Sequence, residues 1–259
     1  MKEIKTRIKS VESTKQITKA MELVSSSKFR KAKERAESAR PYFNTLYNTV
    51  QDIAKNTSNS RNVFLKERKV NNVCYIVIAG DRGLAGGYNS NILKAVLAHN
   101  KLGTGKFIPV GKKAKESLSK RGYEVIDYIE SVEKCVYEDA NRVAQAAMEA
   151  YKNGEVDEVN LVYTEFISAL SQEPKIVKLL PVTIDNTNTE KEVKKGKAAV
   201  QYLPSADAVL GYVLPKYVSG SVYGAIAESF ASEQAARRTA MESATDNANE
   251  MISKLELVY

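Results

Sequence analysis

The 259-residue chain has no tryptophan, one histidine and two cysteines. The single His99 has no metal-ligand partner at helical spacing, and nothing in the sequence marks it as the base of a credible Ser/His/Asp set. A G-x-S-x-G nucleophile motif is also missing. Cys74 and Cys135 form no C-x-x-C pair, and Cys74 sits inside an apolar run, which reads as a buried free thiol. That run, Val73 to Ala79, is the longest wholly apolar stretch at seven residues. A membrane-spanning helix needs about 20, so direct membrane insertion is excluded. The opening "MKEIKTRIKSVES" is charged throughout and carries Glu3 and Glu12, which fits neither a secretion signal nor an organelle transit peptide. Glycine and proline are absent from residues 1–40 and from residues 225–259. Nothing in either stretch breaks a helix.

Both stretches carry helical periodicity. In the first, apolar residues fall at Ile4, Ile8, Val11, Ile17, Met21 and Val24, with Thr14 bridging the one wide gap. In the second they fall at Ile226, Phe230, Met241, Ala244, Ala248, Met251, Leu255 and Val258. The stripes are narrow, closer to a coiled-coil seam than to the broad face of a globular helix. Alanine is dense in the second, which lets a partner backbone approach. Charge separates the two: residues 1–40 hold twelve Lys/Arg against five Asp/Glu, residues 225–259 three against six. Two long helices of opposite charge are expected to pack as an antiparallel coiled coil, with Pro41 able to kink the first.

The middle alternates strand and helix. Val73–Ala79, Phe107–Val110, Tyr123–Tyr128, Val159–Tyr163 and Ile176–Val182 read as strands. Asn89–His99, Lys112–Lys120 and Tyr137–Asn153 read as helices. This is an α/β unit on a largely parallel sheet, followed by a polar linker at 185–200 and a helix start capped by Ser205. The expected organisation is a shaft from residues 1–56 and 206–259, with a Rossmann-like α/β domain at 70–205 inserted between its two helices.

Gly80, Gly83, Gly86 and Gly87 follow the first strand and precede a helix, as a phosphate-cradling loop would. The details fail. Arg82 holds the second glycine slot of G-x-G-x-x-G, no G-x-x-x-x-G-K-[ST] exists, and no acidic residue occurs from Arg82 to Lys115. The cluster reads as a tight strand-to-helix turn. No cofactor, metal or catalytic residue is expected. The basic N-terminal helix leaves a second reading open, a basic coiled-coil nucleic-acid-binding protein, although the aromatic residues of a single-strand binder are missing from it.

Three strings carry a resemblance: "EIKTRIKSVESTKQITKAMELVSSSKFRKA" from Glu3, "AGDRGLAGGYNSNI" from Ala79, and "ASEQAARRTAMESATDNANEMI" from Ala231. In order and spacing they resemble the gamma subunit of F-type ATP synthases, over nearly the whole chain. The resemblance implies a rotor subunit of the central stalk, without catalytic residues of its own. It would pass torque between an ion-driven membrane ring of c subunits and the catalytic ring of alpha and beta subunits, coupling ion flow to ATP synthesis or hydrolysis. The implied partners are the alpha, beta and epsilon subunits and the c ring, with no nucleic acid. The implied location is the cytoplasmic face of a bacterial cell membrane. Lys28, Arg30, Lys31 and Lys33 would face acidic loops of the beta subunits. Met21 matches a position where coupling is sensitive to added charge. Glu233, Gln234 and Arg237 match a segment facing the beta subunits, with Arg237 opposite the Met21 region. Asp81, Arg82 and Gly83 would meet a moving neighbour. Ala85 stands where many members have Cys. The resemblance also implies that the family's C-terminal helix continues past Tyr259, so that its last part is missing here.

Overall fold

The computed structural model describes residues 2–55, 62–101, 103–183 and 202–258. The expected linker at 185–200 lies outside them. Helix α1 spans Lys2–Lys55 and passes through Pro41 to its end. The 3-10 turn Val63–Leu65 leads into β1 (Val73–Ile78), α2 (Tyr88–His99), β2 (Lys106–Val110), α3 (Lys112–Lys120) and β3 (Glu124–Val125). Helix α4 (Tyr137–Lys152), β4 (Glu158–Phe166) and β5 (Gln172–Leu180) follow, and the last helix, here α5, spans Ala206–Val258. Ser205 caps α5 as expected, its Oγ accepting from Ala208 N at 3.2 Å.

The sheet order is β3-β2-β1-β4-β5. The first four strands are parallel and β5 is antiparallel to β4. β1 is buried on both faces. Cys74, Ile76 and Ile78 face one core with α4 and α5, while Tyr75, Val77 and Ala79 face another under α2 and α3. β3 is shorter than the expected Tyr123–Tyr128. Pro109 of β2 has no N–H to offer it, and Arg142 draws Asp127 and the Tyr128 carbonyl out of the ladder.

Helices α1 and α5 each extend about 80 Å. Their contacts pair rising numbers with falling ones: Thr18 with Thr245, Arg35 with Tyr223, Tyr47 with Tyr217. They therefore run antiparallel. The covered positions of α1 repeat every seven residues: Ile4/Ile8, Val11/Lys15, Thr18/Glu22, Ser25/Phe29, Ala32/Ala36. This corrects the expected seam. Ile17 is 59% and Val24 55% exposed, and Thr18 and Ser25 are buried in their stead. Beyond Arg237 the buried residues of α5 are Met241, Thr245, Ala248 and Ile252, so Ala244 is only half-buried and Met251 faces out. Thr18 holds its place by a hydroxyl bond to Thr245 across the seam at 2.8 Å, and the small Ser25 is 2% exposed.

Between Leu214 and Arg237, α5 is covered on most sides. One core joins Val50 and Ile53 of α1, the sheet, α4, and Leu210, Leu214, Val218 and Ile226 of α5.

Candidate functional site

Strand order reverses around β1, with β2 on one side and β4 on the other. In open α/β sheets the crevice at such a point, outside the carboxyl ends of the strands, receives the ligand. Here α5 fills it. A Cβ added at Gly80 would sit 2.7 Å from Glu233 Oε1 and 3.2 Å from Asn89 Oδ1. Gly80 N already donates to Asn89 Oδ1 at 2.8 Å, and Asn89 Nδ2 donates to the Arg82 carbonyl at 3.0 Å. The first glycine thus serves the approach of a helix, and a carboxylate lies where a phosphate would need positive charge. Further along the loop, Leu84 (φ 61°) and Gly86 (φ 55°) take left-handed conformations that bring the chain round into α2. This tips Leu84 outward, 64% exposed.

Most of the expected site residues converge beside this loop. Met21, Lys28, Asp81, Arg82, Gly83, Glu233, Gln234 and Arg237 line one cleft of about 300 Å³, together with Val24, Leu84 and Glu133. Arg30, Lys31 and Lys33 do not line it; Lys33 faces Glu37 at 3.7 Å, one turn along its own helix. Asp81 accepts from Ser131 Oγ at 2.8 Å and from Val132 N at 3.1 Å, so it ties the glycine loop to the segment before α4. Lys28 bonds Glu133 at 2.6 Å across the cleft mouth, with both side chains substantially exposed. Solvent screening makes such a pair weak.

The strong pair is deeper. Arg237 donates to Glu233 Oε1 at 2.5 Å and to the Gly83 carbonyl at 3.3 Å. Their side chains are only 9% and 4% exposed. Burial pushes the Glu233 carboxyl above its ordinary range; Arg237 pulls it back without cancelling that, and Asp81 and Glu133 add to the rise. Three carboxylates face three cations around the cleft, with Val24 and Leu84 as exposed apolar lips. Among the described residues no group of three His, Cys, Asp or Glu could hold a metal. The cleft thus combines charge of both signs with an exposed apolar rim.

Sequence reasoning missed Glu133 and Leu84. Glu133 lies about 100 residues from its partner Lys28 in the chain, and no local pattern signals that pairing. Leu84 could have been flagged as the apolar residue within a glycine turn.

Comparison with known proteins bears on this geometry. The family model described as ATP synthase matches residues 1–259. The ATP synthase gamma chain of Ruminococcus albus is 48% identical, the alignment covering 100% of this chain and 91% of that one. The sodium ion specific gamma chain of Acetobacterium woodii is 42% identical with the same coverage. Among solved structures, a chain from the central stalk and c-ring of Tetrahymena thermophila mitochondrial ATP synthase superposes with a TM-score of 0.66 at 29% identity, covering 88% of this chain and 99% of that one. A chain of the Euglena gracilis rotor gives 0.67 at 21% identity, covering 100% and 95%, a likeness of fold.

Proposed function

The chain belongs to the ATP synthase gamma family, and from that premise we infer that it is the central-stalk rotor subunit of an F-type ATP synthase. It transmits torque between the ion-driven membrane ring and the catalytic alpha/beta ring, and so couples ion translocation to ATP synthesis or hydrolysis. One observation carries the mechanics: α1 and α5 run antiparallel for most of their length, with burial on α1 repeating every seven residues. That repeat is the signature of a left-handed supercoil, a stiff form for two helices that turn inside a sleeve. In this reading, residues 1–56 and 206–259 make the shaft and 70–205 the α/β domain at its foot, beside the epsilon subunit and the c ring. The complex is peripheral on the cytoplasmic face of a bacterial cell membrane. No helix among the described residues is long and apolar enough to cross a membrane.

The cleft of Met21, Asp81, Arg82, Gly83, Glu233, Gln234 and Arg237 is then the place where the shaft meets the beta subunits. The exposed apolar residues Ile17, Leu23 and Val24 on α1 support that contact, and Lys28, Arg30, Lys31 and Lys33 add positive charge around it. The nucleic-acid reading is not favoured. Lys19, Lys28 and Lys33 of the basic helix all stand beside carboxylates, and an acidic partner helix lies along it.

The test is reconstitution with alpha and beta subunits followed by an ATPase assay. The chain co-purifies with the ring and the assembly hydrolyses ATP; failure of the chain to assemble sinks the rotor reading. A finer expectation concerns Met21→Lys, which sets a fourth cation in a cleft whose three carboxylates already face three. Assembled complexes keep hydrolysing ATP within about twofold, while ion pumping per ATP drops by about a factor of five, as one misplaced charge contact of ~1 kcal/mol would give. Unchanged pumping per ATP counts against a coupling role for this cleft.

A further inference from the structure

β4 runs on past β1. Their pairing stops at Val77 and Val162, whereas β4 continues to Phe166. The next rungs on that side belong to Thr164 and Phe166, whose backbone groups face the gap β1 leaves. Side chains of α5 fill it. Thr164 N donates to Ser229 Oγ at 3.1 Å, and Ser232 Oγ donates to the Thr164 carbonyl at 3.3 Å. Phe166 N donates to Glu228 Oε1 at 3.1 Å. Tyr88 of α2 braces the join by donating its hydroxyl to the Ser229 carbonyl at 3.1 Å. A helix has thus taken the place of a strand, two rungs deep.

Much of the rest of the contact between α5 and the sheet is apolar. Apolar packing is non-directional and fixes the register of a helix on a sheet only loosely. Hydrogen bonds are directional, and a slip of one residue, about 1.5 Å along the helix axis, breaks all three at once. We propose that Ser229, Ser232 and Glu228 form the clasp that fixes α5 in register on the α/β domain, and that torque passes between domain and shaft through it. These are positioning residues, and the inference rests on the rotor reading.

The test compares Ser229→Ala/Ser232→Ala, Ser232→Ala alone, Glu228→Ala and Glu228→Gln in complexes reconstituted with the alpha/beta ring and the membrane ring. ATP hydrolysis stays within about twofold; the ions pumped per ATP fall about fivefold in Glu228→Ala, the factor one lost hydrogen bond of ordinary net strength gives, and further in the double serine variant, which loses two. Glu228→Gln keeps an acceptor for Phe166 N and restores pumping. In the free full-length chain, amide exchange at Phe166 quickens roughly tenfold in Glu228→Ala and returns in Glu228→Gln. Undiminished pumping per ATP in the double variant overturns the proposal. So does a glutamine variant no better than alanine, or failure of Ser232→Ala alone to assemble, since the role would then be folding. Failure of the unaltered chain to assemble instead strikes the rotor reading itself.

Discussion

Glu233→Ala destabilises the chain by about 3–5 kcal/mol, read as a lowered urea midpoint. The cost does not measure the worth of the ion pair. It is the cost of leaving the Arg237 guanidinium buried at 9% exposure, with only the Gly83 carbonyl to receive it. Replacing both residues, as Glu233→Leu with Arg237→Met, therefore recovers most of the loss, because a buried pair exchanged for apolar groups of like volume is close to neutral. If the double variant is as unstable as the single one, the pair matters through its shape rather than its charge. The pH dependence follows from the same burial. The folded chain holds the Glu233 proton more tightly than the unfolded chain does. Its contribution to stability is thus greatest below the unfolded carboxylate range, and declines as pH rises through the raised folded value. Against the wild type, Glu233→Gln flattens that decline. A profile that keeps its slope from about pH 4 upward would assign it to another group, of which Glu228, also raised by burial, is the first to examine.

Gly111→Ala prevents the chain from folding. Gly111 ends β2 and caps α3 at φ 93°, and a Cβ there would lie 2.1 Å from the Ala79 carbonyl oxygen and 2.9 Å from the Val132 side chain. The left-handed conformation alone costs about 1–3 kcal/mol for a residue with a side chain. The clash cannot be relieved by rotamer change, since its partner is backbone. Ala79 is anchored through its N–H to the Val110 carbonyl at 2.9 Å, and Gly111 N to the Ile129 carbonyl at 2.9 Å. Together these exceed the range of ordinary substitutions, above about 4–5 kcal/mol. Expression gives insoluble or proteolysed chain, without the cooperative melt of the parent. Gly83→Ala is the matched control. No atom lies within 4 Å of its added Cβ, and its stability stays within about 0.5 kcal/mol of the parent. A folded, stable Gly111→Ala chain would mean that the turn between β2 and α3 can be redrawn.

How much of this could be read in advance differs by element. Strands β1 and β2 and helices α2, α3 and α4 were legible to within a residue or two, because each is an unbroken periodic run bounded by glycine, asparagine or a polar turn. Ser205 was legible as a cap for the same local reason. The seam was half legible. Ile4, Ile8 and Val11 follow it, but Ile17 and Val24 drew the reading off by one residue onto the wrong face. Hydrophobicity is a poor guide there, because Thr18 holds its seam place by a hydrogen bond to Thr245 and Ser25 by its small size. The glycine loop was read correctly as a turn, yet the reason Gly80 is glycine sits about 150 positions away at Glu233. Of the residues placed by family resemblance, all but Arg30, Lys31 and Lys33 came together in the cleft, while the Lys28 partner Glu133 and the clasp on β4 depend on contacts that no local pattern encodes.

The shared core that joins α1, the sheet and α5 limits how this molecule can be taken apart. A graft that swaps the long helices of one relative onto the globular part of another would cut between Leu214 and the sheet, stranding Ile53, Val218 and Ile226 without their partners. A piece spanning 70–205 alone would expose the same wall. Interchangeable parts begin only near Thr245, where the buried positions of α5 are those that meet α1. Chimaeras joined there inherit an intact foot and exchange only the tip.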